Sequence, residues 1–368
     1  MQRYYVVLFA HVLNFCAATD EPGWRTRQKS HVPVSLAADT LEKVALLDRH
    51  SDPTEEAWSR LLGPLLVPRY VTTAAHEDVR KHLVDVLTRL GWTVDGDRTF
   101  KMQTPLGEMP FTNVVATHDP AAPRRLVLAC HYDSIYGRDA FVAATDSAVP
   151  CAMMLYLAHL MTSRYLDPIK GRSDTTLQLM FLDGEEAIVE WTDDDSIYGA
   201  RHLAGELQQT ACQATTACSN TSLTELDRID LFVLLDLLGA KEPAIANYLS
   251  NTNAEFRHLV SVERKLRKKG LLPEVPKIFR YMKSWGFRGP PQVADDHLPF
   301  LHKGVRVLHL IPVPFPAVWH RDDDDASVVH APTVTALGRV LRTFVAEWLG
   351  LAAFKTGPLS SEMKHEEL

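Results

Sequence analysis

The chain has 368 residues, 46% hydrophobic and 23% charged, with 18 glycines and 22 prolines. That balance excludes a disordered, collagenous or polytopic membrane protein, and it suits one large α/β domain or two smaller ones. With 39 basic and 46 acidic residues the formal charge is −7, which gives no support for the basic face a nucleic acid would need, so none is expected as a partner.

Taken in chain order, Arg3, the largely apolar stretch 4–15 and the small residues Ala17 and Ala18 have the layout of a secretory signal peptide over 1–18. The apolar part is short for a membrane span, and an uncleaved anchor is the alternative. Secretion is the expected fate, with retention in the Golgi lumen as the second. Beyond Cys16, the cysteines at 130, 151, 212 and 218 permit two disulfides in an oxidising compartment. Asn220-Thr221-Ser222 is a glycosylation acceptor pattern. Residues 19–35 read as a flexible leader, 36–352 as one catalytic domain and 353–368 as a polar tail.

Within the domain, helical patterns cover 36–48 and 74–90. The second carries Val79, Leu83, Val86, Leu87 and Leu90 on one face and stops at Gly91. Residues 92–102 alternate as a half-buried strand. Short apolar runs at 112–117, 125–131, 176–182, 231–237, 244–249 and 305–310 read as strands. Helices are expected at 147–162, 199–208, 252–269 and 332–351. Residues 209–226 read as a surface loop, and the basic run 264–269 as the solvated last turn of a helix. Apolar strands separated by helices predict an α/β fold, a mixed and mostly parallel central sheet covered by helices on both faces. Such sheets bind ligands just past the C-terminal ends of their strands.

The polar residues that interrupt the apolar runs sit at those ends. They are His131-Tyr132-Asp133, Asp146, Asp183-Gly184-Glu185-Glu186, Asp236 and Trp319-His320. Imidazole and carboxylates gathered at one sheet edge suit zinc, which in catalytic sites keeps three protein ligands and an open position. Asp146, Glu186 and His320 would make such a set, with Glu185 beside the open position as general acid/base. Asp133 would orient His131. Each piece alone has a plainer reading. Asp146 could be a helix cap, Glu185-Glu186 an acidic first turn, and His320 a loop residue beside the solvated run Asp322–Asp325. His297 and His309 are expected in local hydrogen bonds.

The motifs LACHYDS (128–134), ATDSAVPCAMML (144–155), FLDGEEA (181–187), DSIYGARHLA (195–204), LLDLLGA (234–240), DDHLPFL (295–301) and VLHLIPVPFPAVWH (307–320) resemble those of the animal glutaminyl-peptide cyclotransferases, relatives of the two-zinc aminopeptidases. The likeness runs from about 35 to 350. It implies conversion of N-terminal glutamine, and more slowly glutamate, of peptides and proteins to pyroglutamate with release of ammonia. It implies one zinc per chain on Asp146, Glu186 and His320, proton transfer by Glu185, and a substrate-holding network of Asp236 and Asp295. Trp191, Val293, Phe315 and Trp319 match the pocket walls, and Cys130 and Cys151 the family disulfide. Ala294 departs from the family, which carries glutamine there. A two-zinc aminopeptidase is the second reading, because His131, Asp146, Glu186, Asp236 and His320 also match all five of its ligands. A non-catalytic binding protein is the third, disfavoured because no proposed ligand or acid/base position is substituted.

Overall fold

A computed structural model describes residue 28 and residues 30–50, 54–212, 222–286 and 289–351. The signal sequence, Cys218, Asn220 and the tail lie outside the described residues. Among the described residues eight strands form: β1 Thr93–Thr104, β2 Gly107–Thr117, β3 Arg124–His131, β4 Thr175–Leu182, β5 Ile229–Leu235, β6 Ile245–Ala246, β7 Phe279–Arg280 and β8 Val307–Leu310. The main sheet runs β1-β2-β4-β3-β5-β8. Strands β4, β3, β5 and β8 are mutually parallel, and the hairpin β1-β2 joins antiparallel at one edge.

Burial explains the strand types. Strands β3, β4 and β5 are buried along their whole length, as continuous apolar runs must be when both sheet faces are covered. The edge strand β1 alternates exposed and half-buried positions. The hairpin is longer than expected, since β2 begins at Gly107 and not at 112. Residues 107–111 alternate in exposure and lack the apolar run that marks a strand in sequence. Gly107, at φ 108°, supplies the backbone conformation the tight turn needs.

The α-helices of the described residues are α1 Ala38–Ala45, α2 Leu47–His50, α3 Thr54–Leu62, α4 Ala74–Arg89, α5 Val149–Met161, α6 Tyr198–Gln209, α7 Asn253–Lys268, α8 Leu298–His302 and α9 Ala331–Trp348. On one sheet face Leu126 and Leu128 pack in a core with residues of α1, α3, α4, α5, α7 and α9. On the other, Val127 and Ala129 pack with α6 and α8. The period-two alternation of β3 thus feeds both layers. Among the described residues no helix is long and apolar enough to cross a membrane.

Four local expectations change. The helix at 36–48 breaks at Leu46, and α3 was not foreseen. The strand at 244–249 shrinks to Ile245–Ala246, paired with β7 in a separate small sheet. The helix expected from 147 starts at Val149, because Asp146 and Ser147 have non-helical backbone angles. The leader is anchored over its described part: Val34 N donates to Glu347 O at 2.8 Å, and the His31 ring meets Trp348 O at 3.0 Å.

Candidate metal centre and active site

Each strand of the parallel block delivers polar residues where its hydrogen-bond ladder ends. His131 closes β3, Glu185 and Glu186 follow β4, and Asp236 follows β5. The chain leaving β8 reaches His320. Asp146 arrives from the turn ahead of α5, so it is no helix cap; its side chain makes no cap bond. The Cys130–Cys151 disulfide, with Cα atoms 5.7 Å apart, ties the end of β3 to the first turn of α5.

Asp146, Glu186 and His320 converge. His320 Nε2 lies 3.5 Å from Asp146 Oδ2 and 3.6 Å from Glu186 Oε2. Ligands bound about 2.0–2.1 Å from a tetrahedral ion stand roughly 3.3 Å apart, so the spacing suits one ion. The donor set fits as well. Asp146 Oδ2 and Glu186 Oε1 are buried without a hydrogen-bond partner, a costly state for carboxylates unless a cation meets them. Burial, reinforced by Asp146, pushes the Glu186 carboxyl well above its ordinary range.

The neighbouring atoms are engaged differently. His131 Nε2 bonds Asp146 Oδ1 at 3.1 Å and lies 3.4 Å from Asp236 Oδ1. That same Asp236 oxygen accepts from the Ser147 hydroxyl and, at 2.8 Å, from Leu237 N. Burial alone would raise the Asp236 carboxyl, but bonds from His131 and Ser147 leave it below its usual value. Asp133, expected to orient His131, lies 3.5 Å from His131 Nδ1. Its hydrogen bonds come instead from Glu185 N at 3.1 Å and Glu186 N at 3.2 Å. It therefore shapes the turn that presents both glutamates. Glu185 is buried, and burial, with Glu186 and Asp295 nearby, raises its carboxyl well above the ordinary range against the pull of His131.

Asp295 accepts from His309 Nε2 at 2.6 Å, and the His297 and His309 rings lie 4.3 Å apart. His309 thus makes a local hydrogen bond, as expected, and with His297 it forms a buried cluster with Asp295. At 2.6 Å the Asp295–His309 contact is a hydrogen bond, too short for two ligands of one ion. Beside it, Asp296 is wholly buried with neither carboxylate oxygen partnered, and sequence reasoning passed over it.

Around the mouth, Val293 and Phe315 pack on Leu237, Ala246, Tyr248 and Ile311. Trp319 meets Phe315 edge-on at 4.8 Å and lies 4.2 Å from the His320 ring. Trp191 is 39% exposed and Trp319 42%, so both expose much of their surface to solvent. Asp195 fixes the Trp191 loop by accepting from Ile188 N, Val189 N and Glu190 N, each at 2.9 Å. The acidic run 322–325 is not all solvated, since Asp324 is wholly buried.

Residues 113–345 match peptidase family M28. The chain is 44% identical over 314 residues to the mouse glutaminyl-peptide cyclotransferase-like protein, covering 84% of this chain and 79% of that one. It is 41% identical over 338 residues to the bovine glutaminyl-peptide cyclotransferase, covering 89% and 90%. The crystal structure of Macrostomum lignano glutaminyl cyclase superposes with TM-score 0.77 at 34% identity, covering 88% of this chain and 97% of that one. The chain therefore belongs to the glutaminyl-peptide cyclotransferases, an acyltransferase group within peptidase family M28.

Proposed function

We propose that this chain cyclises N-terminal glutamine, and more slowly glutamate, of secreted peptides and proteins with one zinc ion. The observation that carries the single ion is the contrast between two neighbouring ligand sets. Asp146 Oδ2 and Glu186 Oε1 have no partner, whereas Asp236 Oδ1 already accepts from Ser147 and Leu237 N.

Asp146, Glu186 and His320 would hold the zinc, which supplies Lewis-acid polarisation of the γ-amide carbonyl. The substrate's own α-amine attacks that carbonyl carbon, a C–N bond forms, and the γ-amide nitrogen leaves as ammonia. Orientation supplies much of the rate in such an intramolecular step. Glu185 takes the proton from the attacking amine and returns it to the departing nitrogen. Its carboxyl, raised above the ordinary range by burial, suits both halves of that exchange. Asp236 and Asp295, the latter backed by His309, hold the amide and the amine. Val293, Phe315, Trp319 and Trp191 wall the glutamine side chain. The Cys130–Cys151 disulfide supports an oxidising compartment and hence secretion.

Metal analysis and turnover of Gln-initiated against Leu-initiated peptides test the reading together. One zinc with turnover only of Gln peptides is expected. Two zincs with release of leucine would replace it with the aminopeptidase reading.

A further inference from the structure

Arg69 lies between α3 and α4, outside every motif of the site in sequence, and is wholly buried. Among the described residues its guanidinium meets no carboxylate at hydrogen-bond distance. It bonds to backbone carbonyls instead. Nε donates to Tyr132 O at 2.7 Å, Nη1 to Val142 O at 2.5 Å, and Nη2 to Ala143 O at 3.1 Å and Asp146 O at 3.5 Å. Its backbone N donates to Ser134 Oγ at 2.9 Å. These partners belong to two loops, the one leaving β3 with His131 and Asp133 and the one carrying Asp146. Burial lowers the Arg69 pKa to about 10, so it stays cationic at neutral pH among the buried carboxylates.

Asp324 grips the same loop from the opposite side. Its carboxylate accepts from Thr145 N at 2.9 and 3.2 Å, and its own carbonyl accepts from Ala144 N at 2.9 Å. Asp324 follows His320 by four residues, so it couples two of the three ligand segments. The loop needs holding. Ala143 sits at φ 52°, a left-handed conformation that costs a non-glycine residue energy unless its surroundings enforce it. Arg69 binds the loop's carbonyls, Asp324 binds its N–H groups, and Asp146 Oδ2 is left unpartnered toward Glu186 and His320.

We propose that Arg69 and Asp324 are positioning residues that set zinc affinity by clamping the Asp146 loop between them. A guanidinium fork can reach several carbonyls at fixed angles, which an ammonium on a flexible stem cannot. The inference rests on the zinc reading above.

The test is zinc affinity by chelator competition, alongside the melting temperature of the zinc-free protein. Arg69→Lys should weaken zinc binding by about 10- to 100-fold, the usual cost of losing an outer-shell partner. Asp324→Asn should weaken it by a smaller factor in the same direction. The control is Arg342→Lys. Arg342 is another buried arginine, bound to the carbonyls of Val44 and Ala45 and to Asp48 at 3.1 Å, and its substitution should lower the melting temperature while leaving zinc affinity unchanged. Variants of Arg69 and Asp324 that fold and bind zinc like wild type would overturn the clamp. If Arg69→Lys does not fold, unchanged affinity in Asp324→Asn is enough to overturn it. A wild type that takes up no zinc would sink the metal reading and the clamp with it.

Discussion

The two ends of the same parallel strands treat buried charge in opposite ways. At the N-terminal ends, charges are consumed in pairs. Arg124, first residue of β3, pairs with Asp230; Arg125 meets Glu225 at 2.7 Å, and Arg306 meets Glu255 at 2.7 Å. Arg228 adds carbonyls of Pro120 and Ala122 at 2.9 and 2.7 Å to its bond with Glu225. At the C-terminal ends, Asp133, Asp146, Glu185, Glu186, Asp236, Asp295 and Asp296 are all buried, with the Arg69 guanidinium as a nearby cation. Charges paired in this way are compensated by an opposite charge within the chain. Uncompensated carboxylates are tolerable only if a cation joins them. The same contrast recurs inside the site, where Asp236 Oδ1 accepts from Ser147 and Leu237 N while Asp146 Oδ2 and Glu186 Oε1 have no partner.

The contrast can be broken most severely at the uncompensated end. Glu186→Gln should lose zinc on dialysis, with affinity reduced by more than the roughly 10- to 100-fold cost of outer-shell changes, because an amide is a poor zinc ligand. Retained metal would remove Glu186 from the ligand set. Glu185→Gln should keep zinc and fold yet lose about 10²–10⁴-fold in turnover, the usual contribution of a general acid/base. Near wild-type kcat would assign the proton to another group.

At the compensated end, damage should appear as stability and not as chemistry. Arg124→Met leaves the wholly buried Asp230 unpaired, and breaking a buried pair costs about 3–5 kcal/mol. Denaturant unfolding should show that loss, while kcat/KM below the transition stays at the wild-type level. A changed kcat/KM with intact stability would erase the division between the two ends.

The smallest effect concerns His31. Its Nε2 lies 3.0 Å from Trp348 O, and its Nδ1 faces Arg124 Nη2 at 3.2 Å. A ring that donates to a carbonyl through Nε2 and accepts from an arginine through Nδ1 is neutral. Burial, and then Arg124, lower its pKa from 6.5 to about 4. Below pH 6.5 the unfolded chain therefore binds a proton that the folded chain refuses. The stability linked to His31 is fully present above pH 6.5 and falls as pH drops toward 4. His31→Gln should flatten that part of the melting temperature's pH dependence. An unchanged slope would mean that other groups produce it.

Much of the site was legible in sequence because a buried strand tolerates few polar residues within its length. Those that follow an apolar run therefore mark the strand's end, and in a parallel sheet all C-terminal ends share one edge. That reasoning placed Asp146, Glu186 and His320 together, with Glu185 and Asp236 beside them. It reached neither Arg69 nor Asp324. An arginine in a Val-Pro-Arg-Tyr segment and one aspartate in a run of four look like surface residues. Nothing local distinguishes Asp324 from Asp323, which is exposed; only the fold buries one and leaves its neighbour in water.

By itself, then, the amino-acid order determined the alternation of strands and helices, the two-faced burial of β3, β4 and β5, and the ligand candidates. These depend on apolar periodicity and on residue chemistry, both of which are local. Only the tertiary structure decided that Asp133 serves the Glu185–Glu186 turn, that His309 belongs to Asp295, and that Asp146 stands in a turn gripped from both sides and not at a helix cap. Those outcomes depend on which backbone N–H and C=O groups remain unpaired once the sheet is assembled and on which side chains are then buried together. That pairing joins residues from 14 to 179 positions apart, where no local pattern in the sequence records it.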